Sequence, residues 1–380
     1  MRGKPDYQSQ IYYSIDIEAW IPEDHPLRGV KARAEAVLAA MRKDMDRAYG
    51  RVGRRSIPPE MLLKALLLQA LYSIRSEEQL VEHIQMNLLY RWFLDLSLDA
   101  GVWHPTTFTK NRERFEAHGL LRKFFDQVVD QALVERWASD EHFTVDGTLI
   151  ESYASMKSLR PKGSADQRVV DGSEDEDPDN PTVSFRGERR SNATHRSLTD
   201  PEARLARKSQ GQEARLAHGF HVLMENRNGL IMDVAVSEAN GTAEREEALV
   251  MIRRSKERHG LKPRTLAADK GYDAGPFLHE LESEERIVPL VPTRKGVIRG
   301  SSPAAEARKR ARRRQCTKRY QEAQRNRKRA EEIFGWSKTT GGMRRSRHVG
   351  RWKIGQNGLV VAAAYNLLRL SRMASRAQCA

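Results

Sequence analysis

Apolar residues in the first third of the chain recur at helical spacing. They lie three and four positions apart through residues 37–45 and again through residues 61–68, which places them on one face of a helix. Pro58 and Pro59 suit the first turn of the second helix, where the N–H that proline lacks has no helical partner in any case. The pattern therefore predicts that residues 28–138 are helical.

Two further helix starts lie in this region. Residues 76–79, Ser-Glu-Glu-Gln, form a capping-box pattern ahead of an apolar helical repeat. Residues 105–112 predict a short helix with polar and basic residues near its start. This arrangement is similar to a helix-turn-helix, whose second helix lies in the major groove of DNA. A plain helical bundle that supports the next domain is the alternative interpretation.

From His142 onward the pattern changes to short β-rich runs. Residues 142–150 predict a strand, and residues 219–225 and 230–236 predict two more. The last two flank Asn-Arg-Asn-Gly at 226–229, which is typical of a hairpin turn. Alternating elements follow: a helix at 242–258, a strand at 264–269, a helix at 275–282, a strand at 287–291, and basic helices at 303–334 and 358–372.

The order of these elements predicts the fold class. Three strands followed by helix, strand, helix, strand and helix match an α/β fold of the RNase H-like type, a mixed sheet flanked by helices. We expect a helical N-terminal domain at 1–138 and a catalytic domain at 139–380. An acidic, proline-containing tract at about 158–212 has few large apolar residues, so we predict that it is a flexible insertion.

The formal net charge of +15, with a pI near 9.9, indicates a polyanionic partner. The charge is concentrated: residues 294–353 contain 21 Lys and Arg against four Glu. No apolar stretch approaches the ~20 residues of a membrane span, and the first residues lack the apolar run of a secretory signal. We therefore expect nucleic acid as the partner and a cytoplasmic, nucleoid-associated protein. Cys316 and Cys379 predict neither a disulfide scaffold nor a zinc site.

Two aspartates interrupt predicted strands at positions that would otherwise be apolar. Asp146 follows Val145 in the first strand, and Asp269 ends the run Leu266-Ala267-Ala268. A buried carboxylate is costly unless a cation pairs with it. Each aspartate alone is explained by turn formation, but two on strands that neighbour one another in the predicted sheet indicate a metal site for phosphodiester cleavage.

A third acid lies in the basic helix that follows. Glu331 is four positions after Arg327 and seven before Lys338, so the three share a helical face if the helix is continuous. Glu332 points about 100° away, and the spacing favours Glu331 as the metal ligand. An ordinary helical ion pair is the alternative interpretation.

Together these motifs resemble a known family. Val145 to Glu151, Ala268 to Tyr272, and the Arg-x3-Glu-x6-Lys spacing that contains Phe-Gly-Trp at 334–336 are similar to the DDE transposases of bacterial insertion sequences, in particular the InsH-like group. The turn at 226–230 and the run at 362–367 also resemble that group. One position departs from it, because the family places a tyrosine three residues before the motif arginine and this chain has Gln324.

The resemblance implies cleavage at insertion-sequence ends and strand transfer into target DNA by two-metal-ion phosphoryl transfer. It implies two Mg²⁺ or Mn²⁺ ions at Asp146, Asp269 and Glu331, and a homodimer or higher oligomer on double-stranded DNA that carries inverted-repeat ends. The DNA-binding residues that we predict are Arg327, Lys338, Arg312, Arg313, Arg314, Arg344, Arg345 and Trp336. For Trp336, base stacking and simple packing are both open.

Two other functions fit the same residues. One is an RNase H-like nuclease that cuts DNA without strand transfer. The other is an inactive DNA-binding repressor derived from a transposase. Joined DNA products distinguish the transposase from the nuclease, and the effect of replacing Asp269 distinguishes both enzymes from the repressor.

Overall fold

The structure is a computed structural model that describes residues 16–50, 56–162, 184–185, 188–207 and 213–378. Its first part is helical, as predicted. The helices are α1 (Ile17–Trp20), α2 (Pro26–Ala40), α3 (Arg42–Ala48), α4 (Pro59–Leu71), α5 (Glu77–Met86), α6 (Leu88–Phe93), α7 (Thr106–Ala117) and α8 (Leu120–Val134).

Sequence signals explain two of these helix starts. Pro58 and Pro59 occupy the N-cap and first position of α4. The Ser76 side chain caps α5, since its hydroxyl accepts a hydrogen bond of 3.1 Å from the backbone N–H of Gln79. Both starts agree with the sequence pattern.

The second part contains strands β1 (His142–Glu151), β2 (Leu159–Pro161), β3 (Ser184–Phe185), β4 (Glu188–Arg189), β5 (His195–Ser197), β6 (Arg204–Ala206), β7 (Arg215–Glu225), β8 (Ile231–Glu238), β9 (Thr265–Ala267) and β10 (Val288–Leu290). The main sheet has the order β8-β7-β1-β9-β10. The short strand β6 pairs with the first residues of β7, and β8 pairs with the rest of it. β1, β7 and β8 are antiparallel, whereas β9 and β10 run parallel to β1. Counted in chain order, these five strands have the 3-2-1-4-5 arrangement of an RNase H-like sheet, so the predicted fold class is confirmed.

Helices flank this sheet: α9 (Ala243–His259), α10 (Gly275–Ser283), α11 (Pro303–Arg314), α12 (Lys318–Arg327), α13 (Arg329–Lys338) and α14 (Arg351–Gln378). The basic helical stretch predicted at 303–334 is divided into α11, α12 and the start of α13. Thr317 is extended and its side chain caps α12 by accepting from the Tyr320 N–H, so α11 cannot continue through it.

The last helix, α14, is longer than the predicted span of 358–372. It packs against α2, α4 and α8 of the helical part and against β8 of the sheet. Asn366 attaches it to β8, because its side-chain amide bonds both the N–H and the carbonyl of Ile231 at 2.9 and 2.7 Å. One hydrophobic cluster therefore runs through both parts of the chain, and the division at residue 138 stays a prediction.

The tract predicted as a flexible insertion contains short strands where the structure describes it, namely β2, β3, β4, β5 and β6. Buried Asp200 anchors it, since its carboxylate accepts from Ser152 Oγ at 2.7 Å and lies 2.8 Å from His218 Nε2. Acidic composition alone did not reveal this buried anchor. The rest of the tract, at 163–183, 186–187 and 208–212, lies outside the described residues, as do residues 1–15, which include the N-terminal segment judged from sequence.

The predicted helix-turn-helix segment forms α7. Some of its polar and basic side chains bond to other parts of the protein, and others are exposed to solvent. Arg112 pairs with Glu77 at 2.6 Å, and Asn111 is buried against the Tyr49 hydroxyl. Lys110 is exposed. The helix packs against α8, which agrees with the supporting bundle, and DNA contact by α7 stays a prediction. Across the described residues, no helix combines the length and the apolar character needed to cross a membrane.

Candidate active site

Asp146 lies in β1, and Asp269 lies two residues past the end of the neighbouring strand β9. The parallel register pairs His142 with Thr265 and Thr144 with Ala267. The pairing ends at Thr144 and Ala267, and Asp146 and Asp269 each lie two residues further on. Because the backbone of Asp269 is still extended, the two aspartates lie side by side. Adjacent strands are about 4.8 Å apart. The sheet therefore brings the two carboxylates close together, and their assignment to a metal site stays a prediction.

Local backbone contacts fix the orientation of each aspartate. Asp146 Oδ1 accepts from the Gly147 N–H at 2.9 Å. Asp269 Oδ1 accepts from the Gly271 N–H at 2.7 Å and caps a single 3-10 turn, Lys270–Tyr272. The Asp-Gly and Asp-Lys-Gly motifs thus orient one side chain within β1 and the other just after β9, because each uses a nearby backbone donor.

The surroundings of Asp146 favour the protonated form of its carboxyl group. Burial raises the pKa of its carboxyl to about 6, against the hydrogen bond from Gly147 and the charge of Arg327, both of which lower it. The charges of Asp269 and Glu331 raise the pKa further. The three acids are therefore close enough to influence one another.

Glu331 and Glu332 point to different parts of the molecule. Both are exposed on the first turn of α13, but Glu331 is the one whose charge acts on Asp146. Glu332 instead forms an ion pair of 3.3 Å with Arg369 of α14. The effect of the Glu331 charge on Asp146, together with the separate ion pair of Glu332, favours Glu331 as the third acid.

Arg327, the last residue of α12, lies beside Asp146. Its Nη1 is 3.1 Å from Asp146 Oδ2, and both side chains are largely buried. Gln324 supports it by accepting from Arg327 Nε at 3.3 Å. The Gln324 amide also donates to the carbonyls of Ala268 and Leu290 at 3.2 and 2.7 Å. Gln324, which stands where the family has tyrosine, thus joins the ends of β9 and β10 to the arginine.

Lys338 contacts β1 on the other side of Asp146. Its Nζ donates to Thr148 Oγ1 at 2.6 Å, and Thr148 is two residues past Asp146, on the same face of the strand. A cleft opens next to Lys338, with basic and aromatic side chains on its walls, including Arg75, Arg344, Arg345, Arg347 and Tyr153. Arg75 comes from the helical part of the chain. The cleft leads from the acidic site onto a basic surface.

The other predicted DNA-binding residues are not equally available. Arg344 is exposed, and Arg345 is exposed with its guanidinium near two backbone carbonyls. Arg313 is also exposed. By contrast, Arg312 bonds Thr293 and the carbonyls of Arg294 and Gly296, and Arg314 pairs with Glu282 at 2.5 Å. Those two arginines stabilise the fold around α10 and α11.

Trp336 lies on the side of α13 that carries Glu332. Its ring packs edge-on against Tyr365, with ring centres 5.4 Å apart. This contact favours the packing interpretation over base stacking.

One acid near the site was missed by sequence reasoning. Glu244, in the first turn of α9, has its pKa raised by burial and by the charges of Asp269 and Asp146. An acid at this helical position is ordinary, because it complements the helix dipole. The sequence therefore contained no signal that would have singled it out.

The donor set of this site suits a hard divalent cation. Its acids supply carboxylate oxygens, which Mg²⁺ and Mn²⁺ prefer, and the Arg327 guanidinium already lies where positive charge is needed. Within the described ranges, no three acidic, histidine or cysteine side chains are arranged to enclose one ion.

Asp146→Asn is expected to stabilise the metal-free protein at neutral pH. An unfolded aspartate loses its proton near pH 4, whereas folded Asp146 keeps it up to about pH 6. The folded state binds more protons between these values, so stability falls as pH rises through this window. The ionised carboxylate then costs about 3 kcal/mol. Melting in EDTA at pH 7.5 should show an increase on the order of 3 °C for the variant, absent at pH 4.

Asp273→Asn is the control with the opposite sign. Two hydrogen bonds from Arg308, at 2.8 and 2.7 Å, and one from the Arg294 N–H hold the pKa of Asp273 below its ordinary value despite burial. Its replacement should lower the melting temperature at pH 7.5. Equal effects of the two substitutions would contradict the electrostatic account of Asp146.

Comparisons with known families agree with this geometry. The family described as "Transposase domain (DUF772)" matches residues 15–114, and the "Transposase DDE domain" family matches residues 169–367. The second match includes Asp269, Glu331 and the Arg327 and Lys338 positions, while Asp146 precedes it. A search of curated proteins gave no match.

Two solved structures are similar to parts of the chain. The piggyBac transposase synaptic complex with hairpin DNA is 10% identical, with a TM-score of 0.41 over 92% of this chain and 76% of that one. The Mos1 transposase paired-end complex with left transposon end is 10% identical, with a TM-score of 0.20 over 74% of this chain and 81% of that one. The DDE family match alone spans more than half of the chain, and the protein therefore belongs to the DDE transposases, enzymes that cleave DNA and transfer its strands.

Proposed function

We propose that this transposase cuts DNA at the ends of an insertion sequence and joins the freed 3′-hydroxyl to target DNA at a centre formed by Asp146, Asp269 and Glu331. DDE transposases use divalent metal ions, and here we infer two Mg²⁺ or Mn²⁺ ions held by these acids. The observation that supports the proposal is the parallel pairing of β1 and β9, because Asp146 and Asp269 each follow its last residue pair, Thr144 and Ala267, by two residues. The charge of Glu331 on Asp146 adds the third acid.

Each residue has a distinct role in this proposal. The bound ions would activate the attacking oxygen and stabilise the leaving oxygen. Arg327 and Lys338, on either side of Asp146, would hold phosphate oxygens of the DNA beside the acids. Gln324 keeps Arg327 in place through the carbonyls of Ala268 and Leu290.

The basic cleft beside Lys338 supports a path for the DNA backbone. Arg344 and Arg345 are exposed along it, and Arg75 reaches it from the helical part of the chain. These side chains contact phosphates without reading bases. Since both element ends must be cut and joined together, we infer a homodimer or higher oligomer on DNA.

Joining of DNA is the test of this proposal. Purified protein with Mn²⁺ and a duplex that carries the inverted repeats from the flanks of its coding frame should give both cleaved ends and products joined to a target plasmid. Asp269→Ala should give neither. Cleavage without joining would support the nuclease alternative, and DNA-dependent activity unchanged in Asp269→Ala would support the non-catalytic repressor.

A further inference from the structure

Glu244 extends across the sheet edge to lie between the two aspartate motifs. A methyl group on Gly147 would lie 3.2 Å from Glu244 Oε1, and one on Gly271 would lie 3.5 Å from Glu244 Oε2. The two oxygens of one carboxylate thus face the residues that directly follow Asp146 and closely follow Asp269. Any larger side chain at Gly147 would crowd this carboxylate.

Its neighbours show that Glu244 is more than a solvent-facing acid at a helix start. Glu246, in the same first turn, is exposed, whereas Glu244 is partly buried. Among the described residues, the Glu244 carboxylate has no hydrogen bond or ion pair within the protein. The charges of Asp269 and Asp146 raise the pKa of Glu244 further after burial, and the charge of Arg245 opposes them only in part, an arrangement that a cation would stabilise.

A buried histidine places a ring nitrogen that has no hydrogen-bond partner among the described residues next to Gly147, close to the Glu244 carboxylate. His221, on β7 opposite Gly147, is 2% exposed, and its Nε2 is 2.8 Å from Ser237 Oγ. That hydroxyl donates to the Glu238 carbonyl, so it accepts from Nε2. Nδ1 therefore carries a lone pair. It lies 3.0 Å from the position of a methyl group on Gly147 and has no partner among the described residues.

Tyr272 supplies a second unpartnered polar atom near this acid. Its side chain is fully buried, and its hydroxyl has no hydrogen-bond partner in the described part of the chain. Burial raises the pKa of this hydroxyl, and the charges of Glu244, Asp146 and Asp269 raise it further. Buried polar atoms without partners are uncommon, and the His221 nitrogen that faces the same side of Gly147 as Glu244 Oε1 indicates a missing ligand.

We propose that Glu244 is a fourth carboxylate of the catalytic centre and that, with His221 Nδ1, it accepts hydrogen bonds from the water shell of a divalent cation held by Asp146 and Asp269. This inference rests on the proposed metal-dependent function. The cation and its waters provide the positive charge and the donors that Glu244 Oε1 and His221 Nδ1 lack. Glu244 is thus a positioning residue for the bound ion.

Mn²⁺ affinity, measured by electron paramagnetic resonance on full-length protein without DNA, tests the proposal separately from catalysis. Glu244→Gln should weaken Mn²⁺ binding at least ~10-fold, as the loss of an outer-shell partner does. Glu247→Gln is the matched control, because Glu247 lies one turn further on α9, near Arg254 and Arg351, and should leave the affinity within about twofold.

Two histidine variants test the second partner. His221→Gln keeps a donor toward Ser237 and removes the Nδ1 acceptor, so it should weaken Mn²⁺ binding several-fold. His221→Asn retains an acceptor near the Nδ1 position and should restore most of the affinity. Melting in EDTA establishes that each variant is folded. If His221→Gln fails to fold, the Glu244 and Glu247 pair still decides the outcome.

The outcomes separate this inference from the function on which it rests. If Asp269→Asn abolishes Mn²⁺ binding and Glu244→Gln leaves it unchanged, Glu244 has no part in ion binding and the proposed function still stands. If neither substitution changes Mn²⁺ binding, the metal centre itself is wrong. Weakening by both, with Glu247→Gln unaffected, supports the fourth carboxylate.

Discussion

Glu331→Gln should reduce DNA cleavage about a thousandfold, and Glu332→Gln should leave it within about threefold. The loss corresponds to roughly 4 kcal/mol of transition-state stabilisation, the scale expected for a metal ligand. The two acids are adjacent on α13, but only Glu331 acts on Asp146, while Glu332 pairs with Arg369. Single-turnover cleavage of end-bearing DNA with Mn²⁺ measures the difference.

The pair of variants is its own control for folding and DNA binding. Each removes one negative charge from the same turn, so any change in DNA affinity should be similar for both. The Glu332–Arg369 ion pair is largely exposed and contributes at most about 1 kcal/mol. A large loss in Glu332→Gln with activity retained in Glu331→Gln would assign the third acid to Glu332 instead.

Most of the fold could be predicted because its elements have strong local signals. The hairpin β7–β8 follows from two β runs around Asn-Arg-Asn-Gly, and the start of α4 follows from Pro58 and Pro59. The break between α11 and α12 was missed, because the basic residues on both sides of Thr317 are compatible with a helix. The cap at Thr317 depends on one side-chain bond, which periodicity does not reveal.

The candidate site was predictable where an acid contradicts the pattern around it. Asp146 and Asp269 interrupt apolar strands, and that contrast is visible in sequence. Glu244 occupies a common position for an acid, and its proximity to both aspartates depends on how α9 crosses the sheet. Gln324 likewise became interpretable only when its amide was found between the ends of β9 and β10.

The structure also divides the basic segment at 294–353 into two classes of side chain. Arg308, Arg312 and Arg314 form ion pairs or carbonyl contacts that stabilise the fold. Eleven of the 21 cationic residues are exposed, among them Arg313 and Arg344. Net charge thus overstates the number of cationic side chains that can contact DNA, because it counts those bonded within the protein together with the exposed ones.

DNA affinity is expected to fall about 10³- to 10⁵-fold between 50 and 200 mM salt, as for a protein with about 6 to 10 phosphate contacts. The number of exposed cations in the segment at 294–353 is sufficient for that range. Fluorescence anisotropy with duplex DNA, titrated at several salt concentrations, gives the slope of log affinity against log salt. Arg344→Ala should reduce that slope by about 0.9, whereas Arg314→Ala, whose guanidinium pairs with Glu282, should leave it unchanged. An affinity that is flat across this range would mean that the exposed arginines do not contact the DNA backbone.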